Sequence, residues 1–159
     1  MEQDLDYRHK LVRRIKPEVE PLFRYLPWLE AKEGQMVSST YTANDVSTYS
    51  IPFPVYDSTL LSFIKEVQKS SLTDKNYVYI YTRHRMKTTE EERAHIENVT
   101  ITNLEILTGV LSKYILGGMT KGWVWSQAVQ DGIFLAILRK FQTLFELWDQ
   151  PEVKLGKQE

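Results

Sequence analysis

Apolar residues recur at helical spacing through most of this chain, most densely between Thr102 and Trp148. Leu104, Leu107, Leu111, Tyr114 and Ile115 fall on one face of a helix. Ile133, Phe134, Ile137, Leu138, Phe141, Leu144, Phe145 and Trp148 do so more strongly, with Arg139, Lys140, Gln142, Thr143 and Glu146 between them. Trp123–Gln130 reads as a short aromatic helix between these two, fenced by Gly117, Gly118 and Gly122 on one side and Gly132 on the other. Glycines so placed suit helix C-caps, where the backbone needs positive φ. Ile106 and Val110 widen the first stripe, and Leu135 and Ile137 widen the last. A helix that is apolar on more than one face is buried on several sides or covered by another subunit. These four residues are therefore the candidate interface.

The first half of the chain is less regular. Residues 1–16 carry acids and then Arg8, His9, Lys10, Arg13, Arg14 and Lys16, with a weak stripe of Leu11, Val12 and Ile15, so they read as a basic arm or an amphipathic helix. Pro17 and Pro21 suit the start of a following segment, in which Leu22, Phe23, Leu26 and Leu29 mark a short helix that Pro27 should end or kink. Over 34–57 the helical period disappears. Tyr49, Ile51, Phe53 and Val55 alternate with Pro52 and Pro54, which should disrupt any ladder, so an extended strap is expected. Asp57 can cap a helix from Ser58 to about Ser70, with Leu60, Leu61, Ile64 and Val67 inward. Residues 76–86 suit strand or helix; helix is expected because no partner strand is evident. Thr88 or Thr89 with Glu91 or Glu92 forms a capping box, and Thr102 with Glu105 repeats it after a break near Asn98.

The pattern predicts a mainly α protein: a single compact bundle of about five or six helices over 17–148, crossed by the 34–57 strap, with a flexible tail at 149–159. Leu61, Ile64, Leu107, Leu111, Trp125, Ile137, Leu138 and Phe141 should centre the core. The formal charge of −1 over 159 residues gives no global attraction to nucleic acid or acidic membranes, so such binding would need a local patch. Cysteine is absent, which excludes disulfides, thiolate metal sites and cysteine nucleophiles and fits a reducing cytoplasm. No apolar run has the roughly 18 residues of a membrane span, and Glu2, Asp4 and Asp6 do not suit a signal peptide. A cytoplasmic protein without membrane contact is expected.

Several patterns invite chemical readings. Glu92-x-x-His95 has the spacing of a di-iron helix, but that site needs a second copy and two more glutamates. Neither His9 nor His84 has a glutamate three residues earlier, so no metal is expected, and Glu91 or Glu92 should pair a neighbouring cation at a solvated helix start. Gly117–Gly122 is no phosphate loop, since Lys121 precedes the glycine and no Ser or Thr follows; no cofactor is expected. Ala128, Gly132 and Leu138 have helix-turn-helix spacing, but the second helix offers no base-reading group before Arg139. Cations and aromatics make a stronger case. Arg83, His84, Arg85 and Lys87 follow Tyr77, Tyr79 and Tyr81, and Arg8, Lys10, Arg13, Arg14 and Lys16 form a second cluster, which could serve phosphate contact and base stacking on a single strand. Nothing places a general base beside a nucleophile; Asp57, Arg83, His84 and His95 are the residues to examine in any cleft.

The run Tyr114-Ile115-Leu116-Gly117-Gly118, then Trp123-Val124-Trp125, then Gly132-Ile133-Phe134-Leu135-Ala136-Ile137-Leu138, resembles the small bacterial proteins grouped as domain of unknown function family 6508. Pro54-Val55-Tyr56-Asp57 before a helix adds to the likeness, which covers about the last two-thirds of the chain. That family carries an arginine and an acidic residue around the glycine joint, where this chain has Gly117 and Met119. The resemblance implies a helical bacterial protein with no assigned activity and supplies no site residues. The function expected is a non-enzymatic interaction module acting through a protein partner or self-association. Nucleic-acid binding through the basic-aromatic patches is the alternative, and a helical enzyme with scattered site residues the third reading.

Overall fold

The structure, a computed structural model, describes residues 2–35, 38–41, 53–121 and 123–148. Helix α1 spans Glu2–Val19, followed by a 3-10 helix over Glu20–Tyr25 and by α2 over Leu26–Lys32. Strands β1 (Ser38–Tyr41) and β2 (Phe53–Tyr56) come next, then α3 (Ser58–Lys69), α4 (Tyr77–His84) and α5 (Thr89–Glu97). A 3-10 turn over Ile101–Asn103 leads into α6 (Glu105–Gly117), α7 (Val124–Gln130) and α8 (Ile133–Trp148). The mainly helical architecture is the one the apolar period predicts. It is divided more finely because prolines and caps cut the first half into short pieces.

Several local signals act as expected. Asp57 accepts a hydrogen bond from the Thr59 N–H at 2.7 Å and starts α3. Thr88 and Glu91 exchange the reciprocal bonds of a capping box, and Asn98 ends α5. Residues 77–84 are helix. Other signals are displaced. Pro17 lies inside α1, and Pro27 opens α2, where its missing N–H costs nothing. The second capping box is Thr100 with Asn103, on the 3-10 turn, so α6 begins without a side-chain cap.

The strap region also departs from expectation. Ser38–Tyr41 and Phe53–Tyr56 pair antiparallel with Thr40 opposite Pro54, so a ladder forms despite the proline. A two-stranded ribbon consists only of edges, where proline is tolerated. The rest of the strap, 36–37 and 42–52, and the tail at 149–159 lie outside the described residues.

Helix α8 is the central element and packs on α1, α2, α5, α6 and α7. That explains why it is apolar on more than one side: Ile133, Phe134, Leu135, Ile137, Leu138, Phe141, Leu144 and Phe145 are all buried. Burying side chains of this size contributes roughly 1.5–3 kcal/mol each. Of the core expected from the pattern, Ile64, Leu107, Leu111, Ile137, Leu138 and Phe141 are buried, while Trp125 is partly buried against the cluster. Leu61 is only half-buried, and Phe63, on the face shared by Leu60, Ile64 and Val67, is buried instead.

Glycine has two different uses at the helix joints. Gly132 has φ +72°, the left-handed turn that admits α8. Gly118 instead has φ −71°, so the expected positive-φ cap is absent there. Its role is space: a Cβ would lie 2.1 Å from Trp125 Nε1, and that indole N–H donates to the Ile115 carbonyl at 3.0 Å. Gly118→Ala must push the indole off this joint, so a loss of about 2–4 kcal/mol in unfolding free energy is expected, from overpacking plus one hydrogen bond. Urea unfolding with tryptophan fluorescence checks it, and a variant as stable as the parent contradicts the account.

Candidate functional site

The chemically distinctive centre of the fold is a carboxylate with no access to solvent. Glu92, in the first turn of α5, is 0% exposed. It shares a helix face with Ile96, one turn on, and that face packs inward. Three donors converge on it. Tyr81 of α4 donates to Oε2 at 2.5 Å, Lys113 of α6 donates to Oε2 at 2.8 Å, and Tyr114 of α6 donates to Oε1 at 2.6 Å. The Lys113 ammonium also lies 5.0 Å from the Tyr81 ring centroid and 5.1 Å from that of Tyr114, within cation–π range. A buried charge held this way is satisfied by charge-assisted bonds.

Burial pushes both phenols well above their ordinary range, and their hydrogen bonds to the Glu92 carboxylate push in the same direction. Both are therefore neutral donors at physiological pH. Glu92 is not the solvated helix start that the sequence suggests, nor is it open to a metal. Among the described residues no group of three or more His, Asp or Glu side chains could hold one.

The other candidates divide by their position on α4. Residues 77, 80, 81 and 84 share one face and turn inward: Ile80 is buried, while Tyr77, Tyr81 and His84 are half-buried. Ile80 lies against Gly109, where a Cβ would come within 2.8 Å of it. Tyr77 meets Tyr81 edge-on at 6.2 Å. Of the tyrosines read as stacking platforms, only Tyr79 faces solvent fully, beside Val78; they are 65% and 61% exposed. Arg83, Arg85 and Lys87 are exposed, as are Arg13 and Arg14 on α1.

His84 Nε2 lies 3.2 Å from Glu105 Oε2, and its ring is 6.1 Å from that of His95, so the fold brings both histidines and Glu105 together. Asp57 is occupied as the α3 cap. Ile106, Val110, Leu135 and Ile137 are all buried within the single chain. Helix α6 packs on α4, α5, α7 and α8, and α8 packs on α1, α2, α5, α6 and α7, so these wide stripes meet other helices of the same chain.

Clefts lie against two sets of these side chains. One, about 290 Å³, lies between α1 and the start of α6 and includes Tyr7, Arg14 and Glu105. The other, about 170 Å³, includes Glu33, Arg93, Glu97 and Arg139 beside Gly132.

Glu92→Ala is expected to cost about 2–5 kcal/mol, chiefly because it leaves both phenols without their acceptor, while Lys113, with 39% of its side chain exposed, can turn to water. The raised phenols add a pH dependence. Above roughly pH 10 the unfolded tyrosines ionise while the folded ones stay neutral, so stability falls as pH rises, by about 1.4 kcal/mol per unit for each phenol. Urea unfolding between pH 8 and 11 should show that slope in the parent and a shallower one in Tyr81→Phe with Tyr114→Phe. Equal slopes contradict the account.

No helix among the described residues is long and apolar enough to cross a membrane. No curated protein and no solved structure matches the chain. A profile of the family of unknown function DUF6508 matches residues 15–147, from the middle of α1 to the last turn of α8. The match spans the glycine joints, the buried knot and the central helix, and the chain belongs to that family.

Proposed function

We propose that this protein is a small, non-enzymatic bacterial interaction module of the cytoplasm that binds an acidic protein surface through the outer face of α4. One observation carries the reading: Val78, Tyr79, Thr82 and Arg83 are all exposed on that face, in a stretch from Lys75 to Thr89 without an aspartate or glutamate. Large apolar side chains held in water next to arginines favour a protein interface, where Tyr and Arg provide most anchoring contacts. Exposed Arg83 on this face, with exposed Lys75, Arg85 and Lys87 just before and after the helix, adds positive charge to this stretch despite the overall charge of −1.

The buried stripes at Ile106, Val110, Leu135 and Ile137 give no support to self-association through those residues. Single-stranded nucleic acid is the weaker alternative. It needs a series of stacking rings, and Tyr77 and Tyr81 are turned toward the Glu92 knot. The absence of cysteine suits a reducing compartment.

The test compares the parent with Tyr79→Ala plus Arg83→Glu, both folded by circular dichroism. A protein partner retained by the immobilised parent after nuclease treatment should be released by salt and bind the variant about 30-fold more weakly or worse. Partners that disappear with nuclease, or that bind the variant equally, overturn the reading.

A further inference from the structure

We infer that the cleft between α1 and the start of α6 is a binding site for a small zwitterion with an apolar side chain, in chemical class a free apolar α-amino acid. The inference is independent of the α4 face. The cleft has a volume of about 290 Å³, near the lower end of small-ligand sites. Its lining is mixed, with Leu11 and Ile15 from α1 and Ile101 and Leu104 ahead of α6 giving it an aliphatic part. Two opposite charges line the same space. Arg14 comes from α1 and Glu105 from the first turn of α6.

These two side chains do not pair with each other. Glu105 is engaged instead by His84, through Oε2 at 3.2 Å. Arg14 is exposed, with no ion-pair partner among the described residues. A cation and an anion facing one small cleft without closing on each other leave complementary places for a carboxylate and an ammonium. A guanidinium binds a carboxylate through two parallel hydrogen bonds, which favours Arg14 as the carboxylate anchor. The Glu105 oxygen not engaged by His84 is the ammonium acceptor.

An aliphatic or aromatic side chain would then cover Leu11, Ile15 and Leu104, with Tyr7 lining the same cleft. A fatty acid would leave Glu105 facing an apolar group, and a simple amine would do the same to Arg14. Each mismatch leaves one of the two charges of the cleft without a matching group on the ligand.

The test is titration of the full chain with L-leucine and with L-phenylalanine, followed by NMR. N-acetyl-L-leucine, which lacks the ammonium, and L-leucinamide, which lacks the carboxylate, serve as controls. Saturable binding of at least one amino acid is expected with a Kd of about 1 mM or tighter, weakened about tenfold or more for each control. Arg14→Ala should abolish the preference for leucine over leucinamide, and Glu105→Gln the preference for leucine over N-acetyl-leucine. Arg14 is a surface residue, so Arg14→Ala should fold and decides the matter if Glu105→Gln does not. No saturation up to about 10 mM with either amino acid, equal binding of a control, or an unchanged preference in Arg14→Ala overturns the inference.

Discussion

A buried charge must be paired, and that requirement at Glu92 organises the middle of this fold. An ionised carboxylate removed from water carries a penalty of several kcal/mol that only close, well-directed partners offset. Those partners come from two other helices: Tyr81 from α4, and the adjacent pair Lys113 and Tyr114 from α6. Because neighbouring residues of α6 bond different oxygens of one carboxylate, a shift of a single residue would break the arrangement. A hydrophobic cluster of the same size would tolerate small slips. Groups of this kind fix register more than they add net stability.

The knot is tied to the rest of the core through a line of rings. Tyr114 meets Phe134 of α8 edge-on at 6.4 Å, Phe134 meets Phe63 of α3 at 5.0 Å, and Phe63 meets Tyr25 at 5.3 Å. Tyr25 donates its hydroxyl to Glu66 at 3.0 Å, and Arg24 pairs with the same carboxylate. The line therefore begins and ends on a tyrosine hydroxyl bonded to a glutamate, one fully buried and one near the surface. Aromatic pairs in edge-on geometry add specificity beyond area burial. They hold α3, α6 and α8 at defined rotations, where aliphatic packing alone would permit several.

Most of the architecture was legible because it follows from period and caps. The α8 stripe, Asp57, the Thr88 box and the left-handed Gly132 are local signals, and each acts within a few residues. Misreadings arose where the deciding contact is distant in sequence. Gly118 looks like a cap but makes room for Trp125, and the wide stripes at Ile106 and Leu135 look like an interface but meet other helices of the same chain. The Glu92 partnership spans 21 or 22 residues to α6, beyond any helical spacing. Two traces of it were present: Glu92 one turn before Ile96 on an inward face, and Lys113 interrupting an apolar helix. Neither names its partner. The candidate contact surfaces were legible only as composition, since a run of alternating tyrosines does not show which of them face water.

That last division follows from the knot itself. On α4 the hydroxyl of Tyr81 must reach Glu92, and Ile80 must sit in the space left by Gly109. These two contacts fix the rotation of the helix about its axis. With 80 and 81 inward, the spacing of 3.6 residues per turn places 78, 79, 82 and 83 outward. The exposed pair Val78 and Tyr79 is thus a geometric consequence of the buried network, and so is the placement of Arg83 beside them. His84, one turn after Ile80 and Tyr81, falls on the inner face and reaches Glu105, which borders the α1 cleft. One helix rotation, set by a single buried carboxylate and a missing Cβ, therefore determines both the outer basic-aromatic face and the contact that His84 makes with Glu105 at the edge of the cleft.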